Sequence, residues 1–396
     1  MREGRAFQDR QLLGTLPSRS RKNSSTRFAA SSVLGPRVRN RTRPPDAVLT
    51  CVNVHNICMG ITVAVAGASG YAGAELLRLL AAHPDFEVIA AAAHANAGQP
   101  VADISPHLVS YGDLRFVDTT VQTLSEAELV FLALPHGASA AIAEQLPVRS
   151  RIVDLGADFR LRDAGMWQRY YGGPHAGAWT YGLPELPGQR EIIRNSTRIA
   201  NTGCYAVSII TALAPLIAAG VVAADDVVVV ASSGTSGAGR SAKLNLLGSE
   251  VMGDLAPYRV GAHQHVPEIL QASGATSLSL TPILAPMPRG ILATVTAKPA
   301  ESGLTEAGLR QVLATAYDDE PFIHLLPTGR QPHTAATVGS NSVHLQVQLD
   351  VNSGRVIVTS AIDNLGKGAA GQALQNANIM LGLDEAAGLS ANGIAP

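Results

Sequence analysis

The feature that most restricts this chain is a glycine-spaced turn set between an apolar run and an amphipathic one. Ile61-Thr62-Val63-Ala64-Val65-Ala66 reads as a strand buried on both faces. Gly67-Ala68-Ser69-Gly70-Tyr71-Ala72-Gly73 follows at G-x-x-G-x-x-G spacing, and a helix over roughly Ala72–Ala82 comes next, ended by His83-Pro84. Glycines here permit a tight turn and a close backbone approach to a pyrophosphate. The helix start supplies unpaired N–H groups and the positive end of its dipole. The pattern predicts a dinucleotide site at Gly67, Ser69, Gly70, Tyr71 and Gly73, with an ordinary glycine-rich turn as the alternative.

The pattern continues. Val88–Ala92 and Leu129–Leu134 read as strands, the second closed by Pro135; Ala138–Gln145 reads as a helix and Ile152–Asp154 as a short strand. Strands alternating with helices predict an α/β chain with a parallel sheet. Residues 161–198 are rich in Gly, Pro and aromatics and read as irregular linking structure. Cys204–Ala219 reads as a helix. From Val227 the spacing changes: Val227–Ala231, Leu278–Ala285, Gly290–Ala297, Val343–Asp350 and Arg355–Ile362 are strands with short connections, which predicts a partly antiparallel sheet. Val343–Asp350 alternates apolar and polar residues, so one side of it should be wet. A last Ala-rich helix, about Gly368–Leu381, should pack back on the first domain. With 396 residues, the chain exceeds one core, and two domains are expected.

The formal charge of −1 conceals an asymmetry. Residues 1–58 carry 11 Lys and Arg against 3 Asp and Glu, a net +8 that leaves −9 for the rest. This Arg/Ser-rich stretch has no helical or strand period and should be disordered. Three readings compete for it: an organelle transit peptide, a segment that binds an acidic partner, or a mis-set start with Met59 as the true first residue. No run reaches the ~20 apolar residues of a membrane span, and the folded part has no charge excess of the kind nucleic acid attracts. Two of the three cysteines, Cys51 and Cys58, lie in the basic stretch. A disulfide framework is thus excluded, and a reducing compartment fits.

Cofactor choice is read at the end of the second strand. An NAD site usually has Asp or Glu there. Here the chain reads Ala91-Ala92-Ala93-His94-Ala95-Asn96, with no carboxylate to repel a 2′-phosphate and with His94 and Asn96 as donors. NADP is the expectation, a solvent-facing His94 the alternative.

Cys204, in Asn201-Thr202-Gly203-Cys204-Tyr205, opens an apolar helix. A helix start stabilises a nearby anion, which predicts a lowered thiol pKa and a reactive thiolate. Its N–H groups can also hold an oxyanion, and Gly203 clears the approach. His263-Gln264-His265-Val266-Pro267-Glu268 supplies the acid–base partner: His263 is favoured, His265 is the alternative, and a carboxylate such as Glu268 would hold the ring. No second Cys/His cluster has ligand spacing, so a metal is not expected. Anions need fixed cations. Arg160 follows a strand end in Asp154–Arg160. Ser232–Arg240 is a hydroxyl- and N–H-rich loop suited to phosphate, with Ser236, Arg240 and then Lys243 as substrate-side groups. Tyr258 joins them ahead of the paired histidines. A surface ion pair is the plain alternative for each cation.

At these residues the sequence resembles the N-acetyl-gamma-glutamyl-phosphate reductases, relatives of aspartate-semialdehyde dehydrogenase. The likeness runs from Met59 to the C-terminus. It rests on Gly67–Leu76, Ala133-Leu134-Pro135-His136-Gly137, Asp154–Arg160, Tyr181-Gly182-Leu183-Pro184-Glu185, Asn201–Tyr205, Ser233–Arg240, His263–Glu268 and Asn364–Gln372. It implies a Rossmann dinucleotide-binding domain over 59–203, a second α/β domain with a mixed sheet for catalysis and subunit contact over 204–351, and a C-terminal segment, 352–396, that returns to the first. It implies Cys204 as nucleophile, His263 as base, Arg160 as a substrate-binding arginine, and Pro135, His136, Asn364 and Lys367 close to the cofactor. Two positions depart from the family pattern: Thr202 stands where Pro is usual, and Gln264 stands where Arg is common. The second removes an anion contact and shifts that role to Arg160 and Arg240.

The implied activity is NADPH-dependent reduction of an acyl phosphate to a semialdehyde through a cysteine thioester, in the cytoplasm or, if residues 1–58 are a transit peptide, in an organelle. The expected partners are a small-molecule acyl phosphate and further copies of the chain, as dimer or tetramer. The rivals are an aspartate-semialdehyde dehydrogenase, which Tyr205 and the His263–Glu268 segment argue against, and a non-catalytic NADP sensor, which the intact cysteine, histidine and arginine set argues against.

Overall fold

A computed structural model of the chain describes residues 60–395. The basic segment 1–58 lies outside the described residues, as do all three readings of it.

Thirteen strands are described: β1 Ile61–Ala66, β2 Phe86–Ala92, β3 Leu129–Leu132, β4 Arg151–Asp154, β5 Thr180–Gly182, β6 Arg198–Asn201, β7 Val227–Ser233, β8 Ala256–Pro257, β9 Leu278–Leu284, β10 Ile291–Ala297, β11 Ile323–Leu325, β12 Val343–Asp350 and β13 Arg355–Ile362. The first six form one sheet in the order β2-β1-β3-β4-β6-β5, parallel throughout. Parallel pairing buries both faces, and Val63, Ala64, Val65 and Ala66 are fully enclosed. One face carries the glycine-turn helix Tyr71–Leu80 and the C-terminal helix Gly371–Leu381, whose Ala373, Leu374 and Ala377 enter that core. The other face packs on Leu124, Ala143, Leu146 and Phe159.

The other seven strands form a mixed sheet in the order β11-β12-β13-β10-β7-β9-β8, antiparallel except at β11–β12 and β7–β9. Helices Cys204–Ala218 and Glu306–Tyr317 cover one face of it. The opposite face leaves Val228 and Val230 exposed.

Three expectations change. The stretch 161–198 is ordered: it holds helices Ala164–Tyr170 and Gln189–Arg194 and the edge strand β5. A three-residue strand is too short to show a period, so composition alone hid it. The C-terminal return begins after Ile362, not at 352, because β13 pairs along its whole length with β10 and β12 inside the second sheet. The final helix is broken: Gly366–Ala370 is a π-turn and Gly371–Leu381 the α-helix. That turn packs on the start of the Cys204 helix, where a Cβ on Gly368 would stand 2.9 Å from Cys204 Cβ.

Arg289 ties the two lobes together. It pairs with Glu75 on the first-lobe helix (2.8 Å) and with Asp363 at the start of the return (2.7 Å). Burial alone would raise the Glu75 carboxyl, but Arg78 and Arg289 bring it down to about 2.

Candidate active site

The glycine turn adopts the shape its sequence predicts. Gly67 has φ +76°, and a Cβ there would stand 2.2 Å from Ala133 O; one on Gly73 would stand 2.3 Å from Gly67 O. Gly70 starts the helix without a side-chain cap, so the first-turn N–H groups of Tyr71, Ala72 and Gly73 have no intrahelical partners. Ser69 is half-buried and Tyr71 exposed beside them. This is a cradle a pyrophosphate fits.

Cys204 is the first residue of the helix Cys204–Ala218, with Gly203 as its cap. The preceding turn is held by one buried carboxylate, Glu268, in the first turn of the helix Val266–Ser273. Glu268 Oε1 accepts from Gly203 N (2.8 Å) and Tyr181 Oη (2.8 Å), and Oε2 accepts from Arg160 Nη1 (3.4 Å). Glu268 therefore holds no histidine, contrary to expectation; it fixes the backbone just before the nucleophile. His265 lies against the same turn, and a Cβ on Gly203 would be 2.6 Å from both Cε1 and Nε2 of its ring. His263 packs edge-on to His265, Tyr205 and Tyr258, and its Nδ1 accepts the His265 backbone N–H at 3.1 Å. Tyr258 donates to Tyr205 Oη at 2.9 Å.

The expected lowering of the thiol pKa is outweighed. Burial pushes Cys204 up to about 11, against the opposing pull of Arg160 and of the Tyr205 N–H, so a helix start is not enough when the sulfur is largely enclosed. Part of the residue stays accessible. Burial first, and then Arg259, bring His263 down to about 4. Burial and the neighbouring His263 and Arg160 hold His265 well below its ordinary value. At neutral pH the site pairs a neutral thiol with two neutral imidazoles. With Nδ1 of His263 accepting a hydrogen bond, the neutral ring carries its proton on Nε2. Nδ1 of His265 is buried and unpartnered.

The cations singled out in the sequence each hold partners within the protein. Arg160 is buried, with Nε on Asn201 O (2.7 Å), Nη2 on Leu155 O (2.8 Å) and Nη1 on Glu268; it braces the cysteine turn. Arg240 crosses to the first lobe, where Nη1 reaches Ser69 O (3.0 Å), Nη2 reaches Ile104 O (2.5 Å) and the guanidinium lies 5.8 Å above the Tyr71 ring. It belongs to the glycine turn rather than to the cysteine. Lys243 turns back on its own loop, onto Ala238 O at 3.2 Å. That loop is no open cradle either: the N–H groups of Gly234, Thr235 and Ser236 donate to Gly290, Met287 and Pro288 carbonyls.

Two cofactor-side expectations also change. Lys367 is fully buried, pairing with Glu185 and donating to Gln375 at 2.7 Å; it pins the return segment. His94 is exposed at the end of β2, but Asp118 stands 3.4 Å away, so a carboxylate is present after all, brought in by the bridge between Ala92 and Val117. Asn364 donates to Ser236 Oγ (2.9 Å) and accepts from Gly290 N (2.7 Å), which locks the Ser236 loop. Pro135 and His136 lie exposed after β3. Asp158 holds the turn that follows by accepting from Gly137 N (2.7 Å) and Ala140 N (3.0 Å). Sequence reasoning gave no role of their own to Asp158, Tyr181 and Arg259. A left-handed backbone at a non-glycine, as at Arg259 (φ 44°), leaves no mark in a sequence. Among the described residues no group of acidic, His or Cys side chains could hold a metal.

A parallel dinucleotide-binding lobe, joined to a mixed-sheet lobe that presents a cysteine at a helix start beside two histidines, defines an oxidoreductase of the semialdehyde dehydrogenase kind. Residues 62–195 match the semialdehyde dehydrogenase NAD-binding domain, and 204–364 match the semialdehyde dehydrogenase dimerisation domain. The solved structures agree on the fold. Aspartate semialdehyde dehydrogenase II of Vibrio cholerae superposes with TM-score 0.60 at 18% identity over 81% of this chain and 98% of that one. The Candida albicans aspartate semialdehyde dehydrogenase with NADP does so with TM-score 0.59 at 17% identity over 81% and 98%.

Sequence relatives narrow the class. N-acetyl-gamma-glutamyl-phosphate reductase of Salinispora arenicola is 65% identical over 338 residues, 85% of this chain and all of that one. The Streptomyces coelicolor reductase is 54% identical over 344 residues, again 85% and 100%. The chain belongs to the N-acetyl-gamma-glutamyl-phosphate reductase family.

Proposed function

We propose that the site around Cys204 reduces N-acetyl-γ-glutamyl phosphate to N-acetylglutamate semialdehyde and phosphate, with NADPH as cofactor, through a thioester on Cys204. The observation that carries this is the placement of one partly exposed cysteine at a helix start, on a turn held by Glu268 and Arg160 and met by His265, in the lobe whose Arg240 reaches across to the glycine turn.

The first half-reaction follows from the protonation states. Cys204 is a thiol at neutral pH, so it must lose its proton as it attacks. His265, whose Nε2 edge lies on Gly203, takes that proton. The S–C bond forms, the C–O bond to phosphate breaks, and phosphate leaves. The carbonyl oxygen becomes an oxyanion in between. The N–H groups at the start of the Cys204 helix and the Nε2–H of neutral His263 donate to it; a neutral imidazole pushed to low pKa is suited to that role. This gives the base role to the second histidine of the pair, because Nδ1 of His263 is already accepting a bond.

The cofactor, held at Gly67, Ser69, Gly70, Tyr71 and Gly73, supplies when bound a hydride for the thioester carbon. The resulting hemithioacetal collapses as the His265 imidazolium returns its proton to the departing sulfur. Covalent catalysis divides one hard displacement into two easier ones. Glu268 and Arg160 keep the turn that carries the sulfur in register.

The uncovered face of the second sheet, with Val228 and Val230 exposed, is where a second copy docks in this reading, consistent with the dimerisation-domain match. Light scattering that gave a monomer would remove this part. A thiol nucleophile suits a reducing compartment, and the cytoplasm is the compartment proposed. Among the described residues no helix is long and apolar enough to cross a membrane.

The test is mass spectrometry of the enzyme incubated with substrate and no reductant. The expected result is an acyl adduct on Cys204. An adduct elsewhere, or phosphate release from Cys204→Ser at the parent rate, removes the thioester route.

A further inference from the structure

The substrate proposed above carries a carboxylate in addition to its acyl phosphate, and a carboxylate needs a cation. The cations singled out in the sequence are already committed: Arg160 to two carbonyls and Glu268, Arg240 to the glycine turn, Lys243 to its own loop. One cation beside the histidines is not.

Arg259 opens a tight turn in which Ala262 N donates to Arg259 O at 3.0 Å, and the next residue is His263. Its φ is +44°; among the described residues only Asp226 shares the left-handed region without being glycine. That backbone is unfavourable for an L-residue, and turns that need it ordinarily use Gly or Asn. A strained Arg beside a reactive cluster points to a use for its side chain. The side chain is exposed and bonds to Gln264 Oε1, a neutral acceptor between the two histidines. Among the described residues no carboxylate lies within ion-pair distance of it. Its backbone is anchored on the site through Tyr258, whose ring is 5.8 Å from His263 and whose hydroxyl bonds Tyr205. The charge is felt in both lobes, since it helps lower both His263 and His136.

We infer that Arg259 receives the substrate's carboxylate and that Gln264 orients the guanidinium without neutralising it. This deepens the reading of the site given above and rests on it. Gln264, noted in the sequence as the loss of an anion contact, becomes the support for a different one.

The test has two arms on the purified full chain. In the first, kinetics are run from the semialdehyde side with N-acetylglutamate semialdehyde, inorganic phosphate and NADP varied independently. For Arg259→Gln the KM for the semialdehyde should rise about 10- to 100-fold, the loss expected for a hydrogen bond between charged groups, while the KM values for phosphate and NADP stay within twofold. Arg259→Lys should recover part of the loss. Arg259→Gly should melt higher than the parent, because it relieves the backbone, and still show the full KM rise. A rise confined to phosphate would move Arg259 to the leaving-group side and overturn the assignment. So would unchanged KM values, or a fall in kcat alone.

The second arm does not depend on which substrate the enzyme takes. Cys204 alkylation is timed with iodoacetate and with iodoacetamide, reagents that differ in a carboxylate. The rate ratio should fall about tenfold in Arg259→Gln; an unchanged ratio overturns the inference. A parent enzyme inactive on this semialdehyde, yet showing the ratio change, would defeat the substrate reading and leave the carboxylate site standing.

Discussion

Gly203→Ala tests the frame around the nucleophile with one methyl group. The backbone at Gly203 is extended (φ −75°, ψ 148°), a conformation alanine adopts freely, so any effect comes from contact alone. The new Cβ would stand 2.6 Å from His265 Cε1 and Nε2 and 2.9 Å from Arg160 Nη1. Ordinary contact begins near 3.4 Å, so the ring must withdraw by about 0.8 Å and the guanidinium must also give by about 0.5 Å. Arg160 is pinned by bonds of 2.7 and 2.8 Å to two backbone carbonyls. The His265 ring lacks such ties, its Nδ1 having no partner. The ring therefore makes the larger move and takes Nε2 away from the Gly203 turn. Crowding a packed site costs ~1–3 kcal/mol, and a misplacement near 1 Å in a catalytic group costs about 10²-fold in rate. The expected result is a fall of about 10²-fold in kcat/KM, a melting temperature a few degrees lower and NADPH affinity within twofold of the parent. Steady-state kinetics, thermal melts and cofactor fluorescence read the three. Parent-like kcat/KM in a folded Gly203→Ala protein would refute the placement of His265 against this turn.

Two further outcomes are expected. Lys367→Met strands the buried Glu185 carboxylate, which should cost about 3–5 kcal/mol of stability while cofactor affinity of the folded protein stays within twofold; a tenfold weaker NADPH Kd without loss of stability would return Lys367 to the cofactor. Asp154 is fully buried with Oδ2 unpartnered, and burial, against the bonds from Ser139 and Gly156, raises its carboxyl from 3.8 to about 7. A raised folded pKa adds stability that is complete below 3.8 and lost as pH climbs through 7. Asp154→Asn should thus gain on the parent by about 2 kcal/mol between pH 5 and pH 7, measured by urea melts; a gap that does not change with pH rejects the buried neutral acid.

Local chemistry in the chain was enough to announce several parts of this molecule. The glycine turn, the parallel strands around it, the cysteine at a helix start and the paired histidines are all short-range patterns, in which a residue's neighbours in sequence are also its neighbours in space. The mixed second sheet was legible for the same reason, from the spacing of β7, β9, β10, β12 and β13. Side-chain partners at long range were not legible. Arg160, Arg240 and Lys367 look alike as cations in a sequence. Only packing sends the first to Asn201 O and Glu268, the second across to Ser69 O, and the third into a buried pair with Glu185, 182 residues away. Packing also decided the thiol: the helix start that should ionise Cys204 is a local effect, whereas the burial that keeps it neutral is contributed by segments such as the Gly366–Ala370 turn, far along the chain. Electrostatics and desolvation depend on everything within a few ångströms, and which atoms those are is settled only when the chain has closed on itself.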